Sequence, residues 1–186
     1  FELANNPSHF VAINAIQNSG VTAERMLEHL RSTAALSDIA QSAMAYRDDL
    51  DESMMSTIVE AGFEKACVNL ASNPTTPVAI LQMLAWKNFL AVDMKLSSNK
   101  NTPTDVLDVI AKRTDSDIGK NIAIHRNCSS DTLTYLSKRS SATSLLAHVA
   151  GNKRTPPKVL RKLSRHPNLL VVRQVARNES TPVDVL

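Results

Sequence analysis

The feature that most constrains this chain is a short box that returns at nearly regular intervals: Asn73-x-x-Thr76-Pro77, Asn99-x-x-Thr102-Pro103, Asn152-x-x-Thr155-Pro156 and Asn178-x-x-Thr181-Pro182. Residues 152–186 display one whole unit. The box is followed by a leucine-rich run, a break at His166-Pro167, a second apolar run and the next Asn. A period of roughly 26 residues is the mark of stacked supersecondary units, each too small to bury its own apolar face.

Aligned on Thr155, the first-helix starts fall at Thr22, Leu50, Thr76, Thr102, Asp131, Thr155 and Thr181. Four of them precede Pro77, Pro103, Pro156 and Pro182. Thr at the N-cap, accepting a backbone N–H, with Pro as the first helical residue is the expected helix start. Four and five residues on stand Met26-Leu27, Met54-Met55, Ile80-Leu81, Val106-Leu107, Tyr135-Leu136, Val159-Leu160 and Val185-Leu186. Eight residues on stand Leu30, Ile58, Leu84, Ile110 and Leu163, with Arg139 the exception. This spacing places them on one face of a helix of roughly ten residues.

The second helix aligns backward from Asn18, Arg47, Asn73, Asn99, Asn127, Asn152 and Asn178. Three residues earlier the column reads Ala15, Met44, Leu70, Leu96, Ile124, Val149 and Val175; seven earlier it reads Val11, Ala40, Ala66, Val92, Lys120, Leu145 and Val171. The closing Asn is expected in left-handed backbone geometry at the turn to the next cap. Lys120 and Arg139, standing in apolar columns, predict a local distortion around 113 to 131.

The string Asn73-Pro74-Thr75-Thr76-Pro77-x-x-x-Leu81 with Leu84-Ala85, and Val171 through Asn178 as a second segment, resemble the leucine-rich repeat variant family, which shares much of its pattern with HEAT-type repeats. The likeness covers nearly the whole chain. It implies a right-handed superhelix of short paired helices with no activity of its own. The iron–sulfur module that precedes the repeats in some members has no counterpart in Cys67 or Cys128. The expected fold is all-α, a right-handed α-solenoid of about seven helix-pair repeats of roughly 26 residues, forming a single domain over 1–186.

Four glycines and 4% aromatics argue against a strand-rich sandwich, and no apolar run approaches the length of a membrane span. The start at Phe1 without Met reads as a piece of a longer protein. Two isolated cysteines, Cys67 and Cys128, fit no metal or redox spacing and suit a reduced, cytoplasmic setting. Asp49, Asp51, Ser53 and Glu60 imitate the spacing of a calcium loop, but Met54 stands where its sharp turn needs Gly. Trp86 is expected to pack over an inter-helix turn. His9, His29, His125, His148 and His166 show no zinc-binding spacing. No metal and no cofactor is expected.

Charge is distributed unevenly. Residues 1–60 carry three Lys/Arg against nine Asp/Glu, and residues 138–186 carry ten against two. Arg154, Lys158, Arg161, Lys162 and Arg165 are expected to form a strip on an outer first helix. In the second helices the columns four and one before the closing residue share a face turned from the buried stripe. They read Asn14, Ala43, Asn69, Lys95, Ala123, His148, Gln174 and Gln17, Tyr46, Ser72, Ser98, Arg126, Gly151, Arg177. A groove lined by Lys95, Arg126, His148, Arg173 and Arg177 is thus expected to bind an acidic protein partner without catalysis. The alternative is nucleic acid, or HEAT-like DNA repair, at the basic C-terminal end.

Overall fold

The computed structural model describes residues 49–186 except Asp115, together with Thr22, Arg25 and Ala45. Among the described residues all regular structure is helical, without a strand. At Thr22 the hydroxyl accepts the Arg25 N–H at 3.3 Å, the cap predicted there. The column members from Val11 to Gln17, from Ala40 to Met44 and at Tyr46, like the closing Asn18 and Arg47, lie outside the described residues.

The chain divides into two compact units, Phe1–Lys95 and Leu96–Leu186. In the first, α1 (Glu52–Ala61), α2 (Glu64–Ser72) and α3 (Val78–Trp86) pack on one another. The helix α4 (Leu90–Ser98) contains the division. Asp51 Oδ1 accepts the Met54 N–H at 2.8 Å and so caps α1, which gives this carboxylate a structural role. Left-handed geometry appears between paired helices, at Gly62 (φ 74°) and Asn88 (φ 56°), and not at the closing asparagines. Trp86 is 76% exposed at the end of α3, so it does not pack over the turn as expected.

The second unit holds α5 (Thr104–Arg113), α6 (Ser116–Ile124), α7 (Ser130–Arg139), α8 (Thr143–Gly151), α9 (Pro157–Leu163), α10 (Leu169–Arg177) and a 3-10 turn, Val183–Val185. The second helices α6, α8 and α10 pack side by side, as do the first helices α5 and α7. Val106, Leu107 and Ile110 of α5 and Val159, Leu160 and Leu163 of α9 are buried, as the periodicity predicts. Gly119 admits close packing between helices: a Cβ there would stand 3.2 Å from Leu145 Cδ2 of α8.

The box works differently from the expected cap. Pro77, Pro103 and Pro156 occupy the N-cap position itself, with φ near −60° to −76° and extended ψ, one residue ahead of the first helical residue. The threonine before each proline is held out of helical geometry by the ring. Its hydroxyl turns back and donates to the carbonyl six residues upstream, in the last turn of the preceding helix. Thr76 reaches Leu70 at 2.7 Å, Thr102 reaches Leu96 at 2.7 Å, Thr155 reaches Val149 at 2.5 Å and Thr181 reaches Val175 at 2.6 Å. These buried threonines therefore close the helix behind them, whose terminal carbonyls have no partner within the helix.

The closing asparagines are extended, with φ between −74° and −80° and ψ of 122° to 124° at Asn73, Asn152 and Asn178. Each side-chain oxygen accepts the N–H two residues on, and each backbone carbonyl accepts the N–H of the Thr. At Asn152 and Asn178 the amide nitrogen reaches across to the preceding repeat. Asn152 Nδ2 donates to Ala123 O at 2.7 Å, and Asn178 Nδ2 donates to Ala150 O at 2.6 Å and Asn152 O at 2.8 Å.

The same pattern corrects the register of the irregular stretch. His125, not Asn127, follows α6 as Asn99 and Asn152 follow their helices, and Cys128 stands in the place of Thr. The Cys128 N–H donates to His125 O at 3.0 Å, as the Thr102 N–H does to Asn99 O. The hydroxyl and thiol positions are then Thr76, Thr102, Cys128, Thr155 and Thr181, spaced 26, 26, 27 and 26 residues apart. Ile118 and Ile122 fill the apolar columns of α6, while Ile124 is 62% exposed. The first helix begins at Ser130 and not at Asp131, with Ser129 as its cap, and Leu133 and Leu136 face the core.

The expected distortion is unnecessary. Lys120 is half-buried and pairs with Asp117 at 2.6 Å, one turn away on α6. Arg139 lies exposed, donating to Lys112 O at 2.6 Å and to the Tyr135 hydroxyl at 2.8 Å.

Candidate binding cleft

The turns after α6 and α8 stand beside the exposed faces of α8 and α10, and between them opens a cleft of about 630 Å³. Ile124 at the end of α6, Ala147 of α8 and Leu170 of α10 give it apolar walls. Ile124 and Leu170 remain 62% and 47% exposed, an unusual state for large aliphatic side chains flanking one concavity. Arg126, His148, Lys153, Arg154 and Gln174 supply the polar part, and among the described residues no carboxylate lines the cleft. Gly151 keeps the passage between α8 and α10 narrow: a Cβ there would meet Gln174 Oε1 at 3.3 Å.

The cations come from turns. The positions that follow the closing residues are exposed at Lys100 and Asn101 after Asn99, at Arg126 after His125, and at Lys153 and Arg154 after Asn152. Arg126 is tied down, its Nε donating to Lys100 O at 2.9 Å and its Nη2 to Asn101 Oδ1 at 3.1 Å. The Lys153 carbonyl is fixed by Ser180 Oγ at 2.7 Å. The positive charge at the cleft is thus mounted on hydrogen-bonded turns.

His125 forms part of the same wall. Its Nδ1 accepts the Asn127 N–H at 3.0 Å, which leaves Nε2 to carry the proton and donate to Asn99 O at 2.9 Å. Burial holds this imidazole below its usual pKa, against the favourable pull of the Asn99 carbonyl, and the nearby Arg126 charge lowers it further.

Of the expected groove residues, His148 lies exposed in the cleft and Arg126 reaches it from a turn rather than from a helical column. The corrected column members are Asn121 and Ile124 in place of Ala123 and Arg126. Arg173 and Arg177 are exposed on α10 but do not line the cleft. Lys95 is exposed in the first unit. Arg154, expected on the outer strip, precedes α9 and lines the cleft instead. Arg161, on α9, is paired through Nη2 with both carboxylate oxygens of Asp184 at 2.7 and 2.8 Å, and that hydrogen bond lowers the Asp184 pKa.

Lys153, Arg154, Ile124 and Leu170 are the cleft residues that sequence reasoning missed. The available signal was, for Lys153 and Arg154, their place directly after the closing Asn152 and, for Ile124 in the register set by His125 and for Leu170, an aliphatic residue outside the buried stripe.

The two thiols are buried and reduced, and burial pushes Cys67 up to about 11 and Cys128 up to about 12. Among the described residues no three His, Cys, Asp or Glu side chains gather in a way that could hold a metal ion. None of their helices is long and apolar enough to cross a membrane. No protein-family model, curated protein or solved structure matches the chain.

Proposed function

We propose that this protein is a non-catalytic scaffold, a right-handed α-solenoid of the leucine-rich repeat variant kind, that binds another protein along the exposed face of its second helices. The observation that carries the reading is the open cleft beside α6, α8 and α10, cationic and aliphatic, without a carboxylate in its walls. The recurring box supports a repeat architecture, because the closing Asn152 and Asn178 bond to the repeat before them. Thiols held near 11 and 12 are poor nucleophiles at neutral pH, which favours binding over cysteine chemistry. Reduced, buried cysteines suit a cytoplasmic setting.

Nucleic acid is the second reading, favoured by ten Lys/Arg against two Asp/Glu in residues 138–186. Retention on DNA and heparin columns at two salt concentrations separates the two: a scaffold for an acidic protein elutes from DNA at low salt. Charge reversal of Arg173 and Arg177 should weaken a partner recovered with the full-length protein by about tenfold or more. Reversal of Lys158 and Lys162 on α9 should leave it unchanged. Loss confined to the α9 pair would put the binding face elsewhere and reject the reading.

A further inference from the structure

We propose that the cleft beside α6, α8 and α10 is the docking site for an extended acidic peptide segment carrying one aliphatic side chain. The proposal rests on the scaffold reading and specifies the partner's chemistry.

Two properties of the cleft select that ligand. Arg126, Lys153 and Arg154 face no carboxylate in the walls, and the Lys120–Asp117 and Arg161–Asp184 pairs lie outside them. The cleft therefore presents uncompensated positive charge. Arg126 spends donors on Lys100 and Asn101, which fixes its fork and leaves further N–H groups for a carboxylate. Because the turns are ordered in advance, binding loses little conformational freedom on this side.

The second property is the exposed aliphatic pair. Ile124 and Leu170 stand open to solvent across one concavity, with Ala147 in its wall. A leucine, isoleucine or methionine side chain entering there covers both. Among the described residues no Phe, Tyr or Trp lines the cleft, so a nucleic-acid base would find cations and the His148 ring but no large stacking platform. A small anion would leave the apolar walls wet.

Spacing sets the conformation. Arg126 and Lys153 belong to successive repeats, and packed helices lie about 8–10 Å apart. An extended chain of the polyproline-II type rises about 3.1 Å per residue with three residues per turn, so carboxylates three residues apart share a face and reach both cations. The aliphatic residue lies between them or next to them.

The test is selection of a random twelve-residue peptide library on the immobilised full chain, followed by affinity measurement with labelled peptides. Recovered sequences should carry two or more Asp or Glu close to Leu, Ile or Met. Their affinity should fall about tenfold or more with Lys153→Glu plus Arg154→Glu, and again with Leu170→Asp or Ile124→Ser, while Lys158→Glu plus Lys162→Glu leaves it unchanged. Helical melting of each variant is checked by circular dichroism, and two apolar variants are used so that one unfolded protein does not decide the matter. Recovery of basic or uncharged sequences, recovery of none, indifference to both apolar variants, or tighter binding of a twelve-base oligothymidylate would overturn the proposal. Peptides that ignore the cleft variants but depend on Arg173 and Arg177 would reject the cleft and leave the scaffold reading standing. Loss of all dependence on either set, for peptides and for a recovered protein partner alike, would reject both.

Discussion

His125 Nε2 lies 2.9 Å from the Asn99 carbonyl oxygen, one repeat upstream, the place where Asn178 Nδ2 meets the Asn152 carbonyl at 2.8 Å. On its other side Nδ1 accepts the Asn127 N–H at 3.0 Å, as the Asn152 side-chain oxygen accepts the Arg154 N–H at 2.9 Å. The neutral imidazole thus performs both tasks of the carboxamide, and it can do so in only one tautomer.

Acid sensitivity follows. The folded state holds His125 below its ordinary value of 6.5, so on lowering the pH the unfolded chain takes up this proton first. The contribution to stability is full above about 6.5, falls as pH drops through that value, and levels off once the folded pKa is passed. His125→Asn, which supplies the same donor and acceptor without a titrating group, should flatten the pH dependence of the melting temperature below about 6.5. An unchanged pH profile in the variant would contradict the tautomer assignment.

The Thr of the box should matter less than the leucines beyond it. Thr155→Val removes the hydroxyl but not the volume, and the Val149 carbonyl keeps the Asn152 N–H at 3.2 Å, so a loss of about 1 kcal/mol is expected. Leu160, fully buried, should lose about 2 to 5 kcal/mol on substitution by Ala. Denaturant melts that reverse this order would place the weight of the repeat on its turn.

Cys128 occupies a threonine position with a thiol that lies 3.7 Å from the Ser129 carbonyl. Cys128→Thr should let a hydroxyl reach the Ile122 carbonyl, six residues back as in the other repeats. The expected gain is about 0.5 to 1.5 kcal/mol, read as a higher denaturant midpoint. A lower midpoint would mean that the site does not admit the extra methyl group.

Both thiols should be slow to modify in the native protein. The rise of Cys67 from 9.0 to about 11 cuts its thiolate fraction at neutral pH about a hundredfold. Labelling with a thiol reagent should therefore be slow until denaturant is added, and fast native labelling would disprove the buried placement.

The helical pairs were readable where side-chain identity and backbone task coincide, at Asn73, Asn99, Asn152 and Asn178 and along columns such as Leu70, Leu96, Val149 and Val175. Reading failed between 113 and 131 because alignment followed the letter Asn to position 127. What the fold requires is an acceptor and a donor at fixed geometry, and His125 meets that requirement; the stripe of Ile118 and Ile122 marks the register. The cap was misassigned because Thr-Pro fits two geometries. A hydroxyl that accepts ahead and one that donates behind leave the same residues in the sequence. Part of the cleft was hidden for a related reason: helical periodicity tells which way a helix faces, and it is silent about turns, where Lys153 and Arg154 stand and where Arg126, expected in a helical column, belongs.

The bonds from Asn152 to Ala123 and from Asn178 to Ala150 point the same way along the chain, each reaching back 28 or 29 residues. The helices α6 and α8 therefore each end in a carbonyl whose side-chain partner stands on a later-synthesised turn. As the polypeptide leaves the ribosome, α6 and α8 each stay unfinished until roughly one more repeat has emerged, so order in this unit advances in one direction and always trails the growing end by that length.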